Sequence, residues 1–230
     1  MKLISAAAIA ALAGSASASL IVDGNMAFDT LDFTNVDVGS AAFVVGQLQK
    51  FDESLGPLLR VTLTLDATVF DGSITHDNEG GNPSEVTLGI GAEVQATAMG
   101  APAATALVAI PVVEETAMVD ADNDGDADFV GSDSFTIDGG EASDSDTKDS
   151  IDDSFPVDFF IAAPGDDTFD VELDPRVFTF LSTDGGFGPI DPNPGLTSGT
   201  VTVKYTFVPS PGATGLVTIA GLVALRRRRG

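Results

Sequence analysis

Between Asp120 and Asp128 the chain places a carboxylate at every second residue: Asp120, Asp122, Asp124, Asp126 and Asp128, with Asn123 and Gly125 between them. Alternating oxygen donors around a glycine are what a hard divalent cation requires, because calcium gathers roughly six to eight oxygens and the backbone must turn sharply about it. Against the calcium-loop template, Asp120, Asp122 and Asp124 take the first, third and fifth positions. Gly125 takes the sixth, Asp126 offers its carbonyl at the seventh and Asp128 takes the ninth. The twelfth position is Gly131 instead of a bidentate Glu, and no helix is expected on either side. The loop is a candidate calcium site of the weak, extracellular kind, with a solvated acidic hairpin loop as the competing reading.

Other catalytic chemistry is sparse. His76 is the single histidine, no Gly-x-Ser-x-Gly elbow accompanies it, and it is expected to be exposed in a strand-to-turn segment. With no cysteine, disulfides, zinc thiolates and cysteine nucleophiles are excluded. Glu114-Glu115 and Asp152-Asp153 are adjacent acids, but neighbours on a strand point to opposite faces, so neither pair is set for glycoside hydrolysis. Sugar binding by stacked rings has little to work with: there is no Trp and Tyr205 is the single Tyr, while Phe159, Phe160, Phe178 and Phe180 are expected in strand cores. No catalytic residue is assigned, and the reading is non-enzymatic. A carbohydrate-binding module or a secreted polysaccharide-acting hydrolase is the alternative, the latter if folding brings two carboxylates together.

The elements that must position these groups are strands. From Val61 to Phe70 the chain alternates with period two, placing Val61, Leu63, Leu65, Ala67 and Val69 on one face and threonines on the other. Further strands are expected over 72–76, 85–97, 106–119, 134–137, 157–162, 168–173, 177–181 and 200–207, with the polar run 77–84 as a turn. The alanine-rich stretch 92–109 reads as strand because Gly100 and Pro102 interrupt any helix. Many short strands between Gly, Pro, Asp and Ser indicate one all-β domain, an antiparallel β-sandwich.

Both termini carry targeting patterns. Lys2, an apolar run from Leu3 to Gly14, and the small residues Ala16-Ser17-Ala18 read as a helical signal peptide over 1–18, cut by signal peptidase after Ala18 or, failing that, Ala16. At the other end Val208-Pro209-Ser210-Pro211-Gly212 leads into an apolar run from Ala213 to Leu225, stopped by Arg226, Arg227, Arg228 and Arg229. That run is about 20 Å long as a helix, short of a full span and by length more often a core or interfacial segment. The flanking Thr206 to Gly212 and snorkelling arginines make a short transmembrane helix feasible. Four arginines resist translocation, so they retain the end of a chain whose body has crossed the membrane.

Residues 208–230 resemble the PEP-CTERM sorting signal, in which a Pro-x-Pro motif precedes a short apolar helix and a terminal arginine cluster. The resemblance implies processing by an exosortase and delivery of a bacterial protein to the cell surface or extracellular matrix, as in a biofilm. The family's usual middle residue is Glu, and here it is Ser210. A second resemblance begins at Phe51-Asp52-Glu53-Ser54-Leu55-Gly56, leading into Val61-Thr62-Leu63. It continues at Gly131-Ser132-Asp133-Ser134-Phe135-Thr136-Ile137 and ends at Gly199-Thr200-Val201-Thr202-Val203-Lys204-Tyr205-Thr206-Phe207. These segments are similar to the choice-of-anchor E domain, best matched over 47–207 of a body at 19–207. That likeness implies an exported surface module and names no ligand. Physically, Phe51 and Leu55 are expected to pack under the first strand while Gly56-Pro57 bends the backbone.

Loss of both end segments makes the body more acidic than the whole chain. The whole chain carries −25; Lys2 and the four terminal arginines leave with the end segments, so five basic residues face 35 acidic ones and the body stands at −30. Such a body repels nucleic acid and anionic lipid, stays soluble and attracts divalent cations. The expected partners are signal peptidase and the exosortase during export, extracellular polysaccharide afterwards, no nucleic acid, and a membrane only transiently through 208–230.

Overall fold

The computed structural model describes residues 20–122, 125, 127–185 and 188–210. The expected signal peptide, including Ala16 and Ala18, and the tail from Pro211 through Arg229 lie outside the described residues. So do Asp124 and Asp126. No described helix is long and apolar enough to cross a membrane.

The fold is all-β, with every pairing between its strands antiparallel. The first sheet runs in the order β1 (Ile21–Asp23), β2 (Met26–Asp37), β13 (Leu196–Phe207), β4 (Leu58–Phe70), β10 (Glu141–Asp149). The second runs β3 (Phe43–Gln49), β11 (Thr168–Thr183), β6 (Ser84–Ala98), β7 (Leu107–Ala109), and β8 (Val112–Val119) pairs with the other half of β6. A third, small sheet joins β12 (Ile190–Asn193), β5 (Ser73–Asp77) and β9 (Ser134–Asp138).

Period-two patterning explains how the two large sheets meet. Val61, Leu63, Leu65, Ala67 and Val69 of β4 are buried together with Val201, Val203 and Tyr205 of β13, against Ala92, Val94, Ala96, Val171 and Leu173 of the second sheet. On the outer face Thr64 pairs with Thr147 and Thr68 with Ser143 through their hydroxyls. A separate cluster of Ile74, Val86, Leu88, Ile90, Val119 and Ile137 fills the space beneath the small sheet. β4 links the two regions: its Leu58 end reaches the Phe51 turn, and its Phe70 end runs into β5.

Several elements depart from the sequence pattern. The expected strand over 157–162 is a 3-10 turn at Asp158–Phe160, in which Phe160 is buried and meets Phe159 and Phe169 edge-on. Ring packing there overrides strand propensity. The expected strand over 106–119 breaks at Ile110-Pro111, where the Pro111 carbonyl accepts from the Ala92 N–H and β7 gives way to β8. Conversely, 168–173 and 177–181 are one continuous strand through Pro175, whose missing donor costs little when the flanking pairs to β6 hold the register. β1, β2, β3, β10 and β12 had no apolar alternation strong enough to announce them. In β10 the run Asp144-Ser145-Asp146-Thr147 is polar because its inward acids bond to backbone: Asp144 accepts from the Ile110 N–H and Asp146 from the Val108 N–H. Those bonds stitch an edge of one sheet to an edge of the other.

Candidate functional site

The loop bearing the candidate calcium ligands follows β8 and packs on the turn after β5. Asn78, 1% exposed, is its hub. The Asn78 side-chain amide donates to the carbonyls of Asp120, at 2.6 Å, and Asn82, at 3.1 Å, while its oxygen accepts from the Gly80 N–H. Its own N–H donates to the Asp133 carbonyl. The Asp122 N–H reaches Gly80, the Asp120 N–H reaches Ser132, and the buried Asp77 carboxylate accepts from the Phe129 N–H at 2.9 Å. The polar run 77–84, expected as a turn, thus supports the acidic loop through its buried Asp77 and Asn78.

Of the loop's carboxylates, one Asp122 oxygen accepts from the Gly125 N–H and one Asp128 oxygen from the Val130 N–H, each closing a local turn. Asp120 is exposed. Among the described residues no cluster of three acids or histidines is assembled at metal-binding distance.

His76 is a correction. Expected at the surface, it is fully buried on β5, because it shares the inward face with Ile74 and lies across from Ile190 and Phe135 of the flanking strands. Its Nδ1 lies 3.0 Å from the Pro189 carbonyl, so Nδ1–H is the donor, and Nε2 has no hydrogen-bond partner among the described residues. A ring sealed in this way cannot serve a nucleophile at the surface.

A second polar site lies on the outer face of the first sheet, near the Leu58 end. A groove of about 300 Å³ is lined by Arg60, Thr62, Thr147, Asp149, Asp152, Asp153, Lys204 and Thr206. Here Asp152-Asp153 is corrected as well: the pair sits in the turn after β10, so the strand rule that separated the two acids does not apply. Arg60 bonds to Asp149 and, at 3.3 Å, to Asp152, while Asp153 accepts from the Asp149 N–H. Burial pushes the Asp149 carboxyl up, but donation from Arg60, the Ile151 N–H, Thr62 and the Asp152 N–H holds it below the ordinary carboxylate value. Both its oxygens are in use, and a carboxylate so stabilised is a poor proton donor near neutrality.

A third feature is aromatic. On β6 the inward residues Ala92, Val94, Ala96 and Ala98 pair with Val177, Pro175, Leu173 and Val171, so Phe178 and Phe180, paired with Gly91 and Gly89, face outward. They are half-buried on the outer surface and belong to neither apolar cluster, against the expectation of core positions. Phe180 lies directly over Gly89, where a Cβ would overlap its ring. Flanking them in register are Thr87, Ser182, Glu93 and Arg176. The sequence signal was available in the parity of β11, but only if 168–181 had been read as a single strand.

No protein-family model and no curated protein matches the chain. Among solved structures, the infectious bursal disease virus VP2 subviral particle and the Gx strain of the same virus each show 11% identity over 92% of this chain, with a TM-score of 0.12. The chain spans about half the length of those two chains, 54% and 53%. Likeness at that level carries no argument.

Proposed function

We propose that the chain is a bacterial surface or extracellular-matrix structural protein, exported as a precursor and processed at both ends. In this reading signal peptidase removes 1–18 and an exosortase acts at the Pro209-Ser210-Pro211-Gly212 motif, leaving a β-sandwich of net charge −30. One observation supports it best. The Pro209-Ser210-Pro211-Gly212 motif stands ahead of an apolar run from Ala213 to Leu225 and the four arginines Arg226 to Arg229. The acidic surface then hydrates the matrix and attracts divalent cations, with Asp120, Asp122, Asp124, Asp126 and Asp128 as the candidate calcium loop.

Intact-mass spectrometry of the protein from culture medium and from cell envelopes tests this. The expected species begins at Ser19 and lacks Arg226–Arg229; a mature chain retaining the arginines overturns the processing claim.

Carbohydrate binding is the second reading, favoured by the outward Phe178 and Phe180 with hydroxyl and charged neighbours, a composition suited to stacking against a sugar ring. A glycan array with the mature domain and its Phe178→Ala/Phe180→Ala variant checks it: hits lost in the variant support the reading. The hydrolase reading is weaker, because the Asp149 carboxyl of the groove, bonded to Arg60, is held toward its ionised form.

A further inference from the structure

The segment that opens the choice-of-anchor E-like stretch ends against the first residues of the sorting motif. Phe51 is fully buried, its ring centroid 5.5 Å from that of Tyr205 and 5.3 Å from that of Phe207, which roots the segment in the core. Asp52 then accepts from the Ser54 N–H at 2.8 Å and caps a 3-10 turn, Glu53–Leu55, whose end is closed by the Gly56 N–H donating to the Glu53 carbonyl. Gly56 has φ +136° and ψ 178°, a backbone conformation reserved in practice for glycine.

That conformation brings the turn onto the chain leaving β13. The Val208 N–H donates to the Pro57 carbonyl at 3.0 Å, and the Ser210 N–H donates to the Leu55 carbonyl at 2.8 Å. The ladder between β13 and β4 ends at Phe207 opposite Leu58, so these two bonds carry strand-like pairing onward into Pro209-Ser210. A Cβ on Gly56 would overlap the Val208 carbonyl oxygen and stand 2.9 Å from the Ser210 nitrogen. The approach is possible only because residue 56 has no side chain.

We propose that the Phe51–Pro57 turn is a latch that clasps Val208–Ser210 to the folded body and confines cutting of the folded chain to bonds C-terminal to Ser210. Its biological use rests on the reading of the tail as a cleaved signal. Peptidases take hold of a substrate as an added strand, through free backbone donors and acceptors. Val208 and Ser210 have given their N–H groups to the body and Pro209 has none, so this stretch cannot be presented until the latch opens. A cut beyond Ser210 leaves β13 and both latch bonds intact; a cut before it removes the Ser210 bond.

Limited proteolysis of the purified full chain with proteinase K, followed by intact mass, tests the latch without any sorting enzyme. The resistant body of the wild type is expected to end C-terminal to Ser210. The Val208 and Ser210 amides should exchange with solvent at least about tenfold more slowly than in an unpaired chain. In Gly56→Val the trimmed end should move N-terminal to Ser210 and both amides should lose their protection. Ser210→Pro removes a single donor far from the core, so it reads the latch should Gly56→Val fail to fold; its Val208 amide should exchange faster than the wild type's. Trimming of the wild type past Ser210, or exchange at unpaired rates, overturns the proposal. These measurements read the latch alone, whereas the mass of the exported protein reads the processing, so failure of either is distinguishable.

Discussion

The two ends of β4 are held by opposite means. At the Leu58 end the chain is anchored by rings: Phe51, Tyr205 and Phe207 stack within 5.5 Å of one another along the Phe51 contacts, and Phe155, Phe160 and Phe169 fill the adjoining space. At the Phe70 end, beyond a small cluster of aliphatic residues, the buried groups include His76, Asp77, Asn78 and Asp133. Apolar burial is non-directional and tolerates small shifts, so it fastens the clasp to the body. Buried hydrogen bonds are directional, so those of Asn78 and Asp77 specify one shape for the acidic loop.

The largest way to break this contrast is Phe51→Ala. Removing a fully buried ring costs about 3–5 kcal/mol, measured by urea unfolding, and should also free Val208–Ser210 for trimming. Asn78→Ala should cost about 2–4 kcal/mol, because it leaves the carbonyls of Asp120 and Asn82 and the Gly80 N–H without their partner. Its effect should be local, with faster amide exchange over 120–133 and little change in β4 and β13. A cost below about 1 kcal/mol would show that this hub does not hold the loop.

Asp149→Asn should have a smaller effect, about 1–2 kcal/mol near neutrality, and one that depends on pH. Because the folded carboxyl is held below its ordinary value, the wild-type advantage is present above about pH 4 and fades as pH falls through the folded value. The Tm difference between wild type and variant, followed from neutral pH to about pH 2, should therefore shrink. Tyr205 supplies the alkaline counterpart. Burial first, and the charge of Asp29 second, push its hydroxyl up, while the Tyr205 hydroxyl donates to the Gln49 carbonyl at 2.7 Å. Stability should fall above about pH 10, where the unfolded phenol ionises, and Tyr205→Phe should flatten that fall.

The smallest expected effect belongs to calcium. At millimolar concentration it should raise the Tm by a few degrees, about what weak binding linked to folding supplies, and Asp122→Ala and Asp124→Ala should each remove most of the shift. Absence of both heat in calorimetry and any thermal shift would remove the site.

Much of the ring-held end was legible in the residues. Val61 to Val69 alternate because one face of β4 is buried, and the turn at Phe51-Asp52 through Gly56-Pro57 was readable from an apolar anchor followed by a bend. The polar end was hidden: Asp77 and Asn78 look like turn formers, and nothing local says that strands from three parts of the chain will close over them. His76 was misread for the same reason, since Thr75, Asp77 and Asn78 around it suggest water. Phe178 and Phe180 were placed in the core because 168–173 and 177–181 read as two strands, which hides the parity that runs unbroken through Pro175.

By itself, then, the sequence determined the all-β character, the inward face of β4 and the strongly acidic charge of the body. These follow from composition and from periods of a few residues, which no tertiary contact needs to supply. Only the tertiary structure decided that Asn78 carries the acidic loop, that Arg60 gathers Asp149 and Asp152, and that Gly56 meets Val208. Each of those joins positions more than 40 residues apart, through directional bonds or a close approach that exists only once the sheets have set their register.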